Sequence, residues 1–236
     1  MALSCLLPLI EKRQESNGSL REMIVSVLIE GILANVLDDG EDLVEADLQT
    51  LFGTSRSPIR EALTELDNLG LVALGRRQTR RVRRLTRQDM EEIIPIRAML
   101  EGLAARWAFT VLAGDSVWEI ERHYGLMSEA VKYGDAKAYW DRHVLFHDAF
   151  INASGNKTLV GTLRPLRIKT HWYLFNLDRT QFDLEEELHS HLLLLEALND
   201  AGGSAENMES AMQGHVASAL TRNIQLASAA KNIAGS

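Results

Sequence analysis

A chain of 236 residues, 46% hydrophobic and 25% charged, has room for two cores of ordinary size and the composition of a soluble globular protein. No apolar run approaches the roughly 18 residues a bilayer span needs, and the single cysteine, Cys5, excludes an intrachain disulfide and fits a reducing, cytoplasmic setting. The net charge of −8 argues against a general nucleic-acid binder, but residues 52–87 carry nine arginines against three acids while residues 88–236 carry 13 basic and 20 acidic side chains.

The first segment, "MALSCLLPLIEKRQESNGSL", has no basic residue ahead of its apolar stretch and no small-residue cleavage pattern, which argues against a signal peptide. Residues 1–17 are expected to form a poorly ordered tail. Ser19 can cap a helix carrying Ile24, Val25, Leu28, Ile32, Leu33 and Val36 at helical spacing and ending near "DDG". "LVEADLQTLFG" is a shorter amphipathic piece, with Leu43, Leu48 and Leu51 on one side and Gly53 as its stop. Thr54 and Ser55 then offer a cap, and Pro58 sits where a first-turn proline is tolerated. Ile59, Leu63, Leu66 and Leu69 form an apolar stripe that Gly70 ends. "LVAL" and "RRVRRL" read as two short strands around "GRRQT".

Three helices, a tight turn between the second and third, and a hairpin make a winged helix-turn-helix over residues 18–85. Its stripe packs inward and turns Ser55, Arg56, Ser57 and Arg60 outward at the positive end of the helix dipole. Arginine there can grip guanine O6 and N7 in the major groove, a pairing worth about 1–3 kcal/mol of base discrimination.

Residues 86–231 read as all-helical. Thr86 and Asp89 have capping-box spacing before "MEEIIPIRAMLEGLAARWAFTVLA", inside which Pro95 predicts a kink or a break. Apolar-periodic segments follow over 115–133, 135–153, 157–176, 181–200 and 205–229, separated at Gly114, Gly134, "SGN" and "AGG". No strand is expected after residue 85, so this part is a helical bundle and the whole chain is mainly α.

Four histidines carry the chemistry of the bundle. His143 and His147 in "HVLFH" stand at i and i+4 and share a helical face, while His191 and His215 lie on separate helices. By spacing alone, surface or hydrogen-bonded core histidines remain the plainer reading beside a divalent metal site. A metal-dependent hydrolase is the competing enzyme class. Against it, Val144 stands where an HExxH motif needs its glutamate base.

"SRSPIREALTELDNLGLV" resembles the recognition-helix signature of the GntR family of bacterial transcriptional regulators. "IRAMLEGLAARWA" and "FHDAFINASGN" resemble the FCD effector domain of its FadR-like branch. The resemblance implies a homodimer on a pseudo-palindromic double-stranded operator, read by Arg56, Ser57, Pro58 and Arg60. The wing departs from the family pattern, with "RRQTRR" where a tip glycine is usual, so Arg76, Arg77, Thr79 and Arg80 are expected to meet the groove or the phosphates differently. The resemblance also implies that His143, His147, His191 and His215 are metal ligands, for zinc or alternatively nickel or manganese. Many FCD domains have an aspartate where His143 stands. Either His143 ligates as a fourth imidazole, or it lines the pocket beside a three-histidine set.

A small organic acid or sugar acid is the implied effector. Arg97, Arg164 and Arg167 are candidates to pair with it, with a solvated face or an intradomain salt bridge as the other reading of each. His123, His171 and His189 read as ordinary surface or packing residues, and Trp107, Trp140, Trp172 and Phe175 as core.

Overall fold

The computed structural model describes residues 2–13, 18–75, 79–111, 115–175, 183–200 and 202–218. The chain divides into two compact units, one built mainly from Met1–Thr86 and one from Arg87–Thr170 with the segment after residue 176. Among the described residues no helix is long and apolar enough to cross a membrane.

The first unit opens differently from the sequence expectation. In place of a poorly ordered tail, Ala2–Leu6 forms a 3-10 turn and Leu7–Arg13 a short helix, α1; residues 14–17 lie outside the described set. The correction has a packing cause. Leu3, Leu6 and Ile10 are buried, and Leu6 lies so close to Gly31 that a Cβ there would come within 2.6 Å of its Cδ2. Lys12 and Arg13 both pair with Glu30.

Helix α2, Leu20–Leu33, begins with the complete capping box of Ser19 and Glu22. Its buried side chains pack against α4, Arg56–Asn68, whose buried face is Ile59, Ala62, Leu63 and Leu66. Between them lies α3, Glu45–Phe52, closed by Gly53 in the left-handed region at φ 60, the conformation that turns the chain sharply into α4. Ser55 occupies the N-cap position of α4 without a side-chain cap bond, so the expected cap is made by position only.

Strands β2, Val72–Leu74, and β3, Arg80–Val82, form the expected hairpin. A strand the sequence did not announce, β1, Asp42–Leu43, pairs with the other side of β3. Two residues are too few to carry a period-two signal; this strand is set by its partner.

The second unit is helical throughout its described residues, with α5 Arg87–Val111, α6 Asp115–Lys132, α7 Ala136–Ala153, α8 Lys157–Phe175, α9 Leu184–Asn199 and α10 over 205–218. Pro95 lies inside a continuous α5, so the helix does not break there. Asp135 caps α7 through Ala138 N–H, and Asp183 caps α9 through Glu185 and Glu186 N–H. Ala104, Ile151, Leu159 and Leu163 join α5, α7 and α8 into one apolar core.

Helix α10 lies tight against α5. A Cβ on Gly102 would overlap the Gln213 side chain and come within 3.0 Å of the Glu209 carbonyl oxygen, and Arg106 pairs with both Glu206 and Glu209. Gly125 on α6, by contrast, faces open space. Gly125→Ala is therefore expected to stabilise the protein in urea unfolding by about 0.5–1 kcal/mol. Gly102→Ala is expected to lose that gain and to destabilise overall, because overpacking costs about 1–3 kcal/mol. Equal gains at both positions would contradict the close approach of α10 to α5.

Candidate functional site

Two clusters of side chains carry chemistry, one in each unit. In the first unit, the inward stripe of α4 turns Arg56 and Arg60 outward, and each side chain is about two-thirds exposed. Ser57 donates to Glu61 at 2.9 Å. A groove between α4 and the hairpin is lined by Arg56, Arg60, Thr64, Leu74, Thr79 and Arg80. Arg76 and Arg77 lie outside the described residues.

The arginines of this face carry acidic partners the sequence reading did not assign. Glu45 on α3 accepts from Arg56 Nε at 2.6 Å and pairs with Arg60 Nε at 3.2 Å. Asp67 pairs with Arg80 at 3.2 Å, and Asp42 accepts from Arg81 at 2.8 and 2.9 Å. Asp42 and Glu45 stand just upstream of the arginine-rich block. A charge count over 52–87 therefore misses how much of it the fold offsets.

In the second unit α7, α9 and α10 bring His143, His147, His191 and His215 together. One ring nitrogen of each lies within 4.8 Å of those of the others. His147, His191 and His215 are buried, and His143 is partly exposed. Neighbouring ring centroids are separated by 4.8 Å for His143 and His147, 4.9 Å for His143 and His191, and 4.3 Å for His191 and His215. Tyr139, Trp140 and Phe146 wall the cluster, with the Trp140 ring 5.1 Å from that of His143. Trp140 is thus both core and lining.

The hydrogen bonds fix which nitrogens point inward. His191 Nδ1 lies 2.7 Å from the Glu187 carbonyl oxygen, an acceptor only, so Nδ1 carries the proton and Nε2 the lone pair. His147 Nδ1 lies 2.9 Å from Glu101 Oε2, which assigns the same tautomer. His147 Nε2 and His143 Nδ1 are then buried without a hydrogen-bond partner. Metal-binding histidines show this pattern, one nitrogen anchored to a carboxylate or carbonyl and the other turned to the ion. The donor set, four imidazole nitrogens, fits a borderline divalent ion such as zinc or nickel better than an oxygen-seeking one.

Glu101 is the residue the sequence reading missed. It is buried on α5 and meets Arg97 from its own helix, His147 from α7 and Arg167 from α8, the last at 3.9 Å. Burial alone would push its carboxyl up, but Arg97, then His147 and Arg167, hold it well below the usual carboxylate range. Arg167 also pairs with Asp148 and donates to the Val144 carbonyl oxygen. Of the three candidate effector arginines, Arg97 and Arg167 thus meet on Glu101, whereas Arg164 is exposed on α8. The signal was present in "RAMLE", a charged pair at i and i+4 among small and apolar residues. His189 is exposed, and His123 is buried in α6.

Comparison with known proteins finds a match for each unit. The family described as bacterial regulatory proteins, gntR family, matches residues 20–82, and the FCD domain matches residues 92–218. The chain is 30% identical over 203 residues to a probable D-xylose utilization operon transcriptional repressor of Paenarthrobacter nicotinovorans, covering 86% of each chain. It is 25% identical over 180 residues to the gluconate operon transcriptional repressor of Bacillus licheniformis, covering 71% of this chain and 70% of that one. The solved structure of Escherichia coli McbR/YncC shares the fold, with a TM-score of 0.73 at 22% identity over 91% of this chain and 99% of that one.

Two outcomes follow from the buried charges. Glu101→Gln leaves the buried Arg97 without its carboxylate, while Arg167 keeps Asp148, and should cost about 3–5 kcal/mol in urea unfolding of chelator-treated protein. A loss below about 1 kcal/mol would show that the carboxylate is not what holds Arg97. Burial first, and then neighbouring positive groups, holds His143 well below the ordinary 6.5; burial also lowers His147, with Glu101 opposing. The unfolded chain therefore takes up protons that these rings refuse when folded. Stability is full above 6.5 and falls as the pH drops below it. The melting temperature of chelated protein should decline from pH 7.5 to 5.5, and less steeply in His143→Leu. A flat profile contradicts the assignment.

Proposed function

From the premise that the chain belongs to the GntR family and is a DNA-binding transcriptional regulator with an FCD effector domain, not an enzyme, we propose how its two units divide the work. Residues 18–85 bind a pseudo-palindromic operator in a cytoplasmic homodimer, with Ser55, Arg56, Ser57, Pro58 and Arg60 on the major groove and the wing's Arg76, Arg77, Thr79 and Arg80 on the flanking groove or phosphates. Residues 86–231 dimerise and bind a divalent metal, zinc before nickel or manganese, through His147, His191, His215 and His143. A small organic acid or sugar acid bound there modulates operator affinity.

The observation that supports this most is the convergence of the four imidazoles, with two of them turned by a hydrogen bond. Glu101 and the Glu187 carbonyl take the outer N–H of His147 and His191, which leaves their unprotonated nitrogens facing inward. A divalent ion on those nitrogens would supply a Lewis-acid anchor for a carboxylate; buried Arg97 and part-buried Arg167 stand nearby, paired with Glu101 and Asp148. With four neutral imidazoles and no carboxylate among the candidate ligands, the ion would keep its full charge toward an anion. Of the relatives, one is named for a sugar-acid operon, gluconate, which suits a carboxylate anchor, and the other for a neutral sugar, D-xylose, which does not carry one. The hydrolase alternative lacks support. Glu101, a buried carboxylate beside the cluster, is committed to Arg97 and His147.

Elemental analysis tests the metal reading. Wild-type protein should carry about one divalent ion per chain, and His147→Ala should lose it together with any thermal stabilisation by organic acids. Stoichiometric metal in that variant, with an unchanged acid response, rules the site out. Arg60→Ala should abolish operator preference in a gel-shift series while the melting temperature stays within a few degrees of wild type; retained preference would contradict the DNA-reading role.

A further inference from the structure

We propose that Glu45 sets the DNA-sequence discrimination of the first unit by holding Arg56 and Arg60 in a shared, presented pose. The inference rests on the reading of α4 as the DNA-contacting helix. It goes beyond that reading because Glu45 lies on a different helix and is acidic, a residue type that a phosphate-covered surface repels.

The geometry carries it. Glu45 is the first residue of α3, and its two carboxylate oxygens reach two guanidiniums one turn apart on α4, at 2.6 and 3.2 Å. Both contacts are made at Nε, so neither uses a terminal amino group, and the two amino groups of each arginine are left for a guanine O6 and N7. Both arginine side chains stay about two-thirds exposed, so the pairs add little to folding; exposed ion pairs are typically worth about 0–1 kcal/mol. Their consequence falls on binding instead. Held by one carboxylate, two long flexible side chains lose rotamer freedom before DNA arrives, and that entropy is not lost again on binding.

The same carboxylate cuts the charge at the tip of α4 from about +2 to +1, which weakens attraction to any phosphate backbone whatever its sequence. Presentation strengthens the specific complex while charge cancellation weakens the non-specific one. Glu45 therefore acts on the ratio of the two affinities. Asp67 on Arg80 and Asp42 on Arg81 restrain the hairpin in the same manner, although each carboxylate there serves a single arginine.

The test uses full-length protein and a duplex enriched by the wild-type chain from a random library, with a scrambled duplex of equal length as the non-specific probe. Fluorescence anisotropy over a salt series is read for wild type, Glu45→Gln and Glu45→Asp. Glu45→Gln should bind the scrambled duplex about tenfold more tightly, with a log–log salt slope steeper by about 0.9, the value of one additional neutralised phosphate. It should not gain on the selected duplex, so discrimination falls about tenfold. Glu45→Asp keeps the charge and the acidic start of α3 but is one methylene too short to span both arginines. It should keep the wild-type slope and lose part of the discrimination.

Discrimination by Glu45→Gln within about threefold of wild type overturns the proposal. So does equal weakening on both duplexes, which would mark a structural role at the start of α3. If the wild-type chain enriches no duplex at all, the DNA-contacting reading fails and takes this inference with it.

Discussion

The second unit depends on one buried carboxylate. Glu101 is 1% exposed and sits where Arg97, His147 and Arg167 converge from three helices. A charge removed from water costs several kcal/mol, and a buried ion pair returns that only when the geometry is good and the remaining valences are filled. Glu101 meets this condition only while α5, α7 and α8 hold their mutual register. The carboxylate therefore specifies an arrangement more than it adds stability. Its reach to His147 Nδ1 turns a common apolar bundle into one with an inward-facing nitrogen at a defined place.

The first unit uses a carboxylate in a related way at its surface. Glu45 spans Arg56 and Arg60, as Glu101 spans an arginine and a histidine. In both units the residues named for contact with a partner, guanidinium or imidazole, are oriented by an acid that does not itself belong to the contacting set. The dielectric separates the two cases. Glu101 is shielded, so removing it is expected to be felt in folding, whereas the Glu45 pairs are open to water, where their effect is expected on binding.

Much of this was legible in the sequence because it is local. The apolar stripe Ile59, Leu63, Leu66 and Leu69, the stop at Gly53 and the cap at Ser19 each follow from local spacing, and together they fix the helix-turn-helix. The pairing of His143 with His147 on one face is equally local. What the sequence did not disclose depends on contacts between distant segments. Strand β1 exists through its pairing with β3, and the N-terminal turn is ordered because Leu6 finds a seat at Gly31. Glu101 has a local partner in Arg97, but its contact with His147, 46 residues away, and that of Glu45 with Arg56, 11 away, exist only once the fold brings them together. The arginine-rich block was visible in the charge count, but its partial neutralisation by Asp42 and Glu45 was not.

Under the proposed function, occupancy of the histidine cluster and affinity for operator DNA are thermodynamically linked, so that an acid bound at one changes binding at the other. Anisotropy titration of a selected duplex tests it most directly, with metal-loaded and chelated protein each measured against a panel of organic and sugar acids. At least one acid is expected to shift operator affinity by about fivefold or more in the metal-loaded protein and to leave the chelated protein unchanged. The same shift in both forms, or none with any acid, would contradict it.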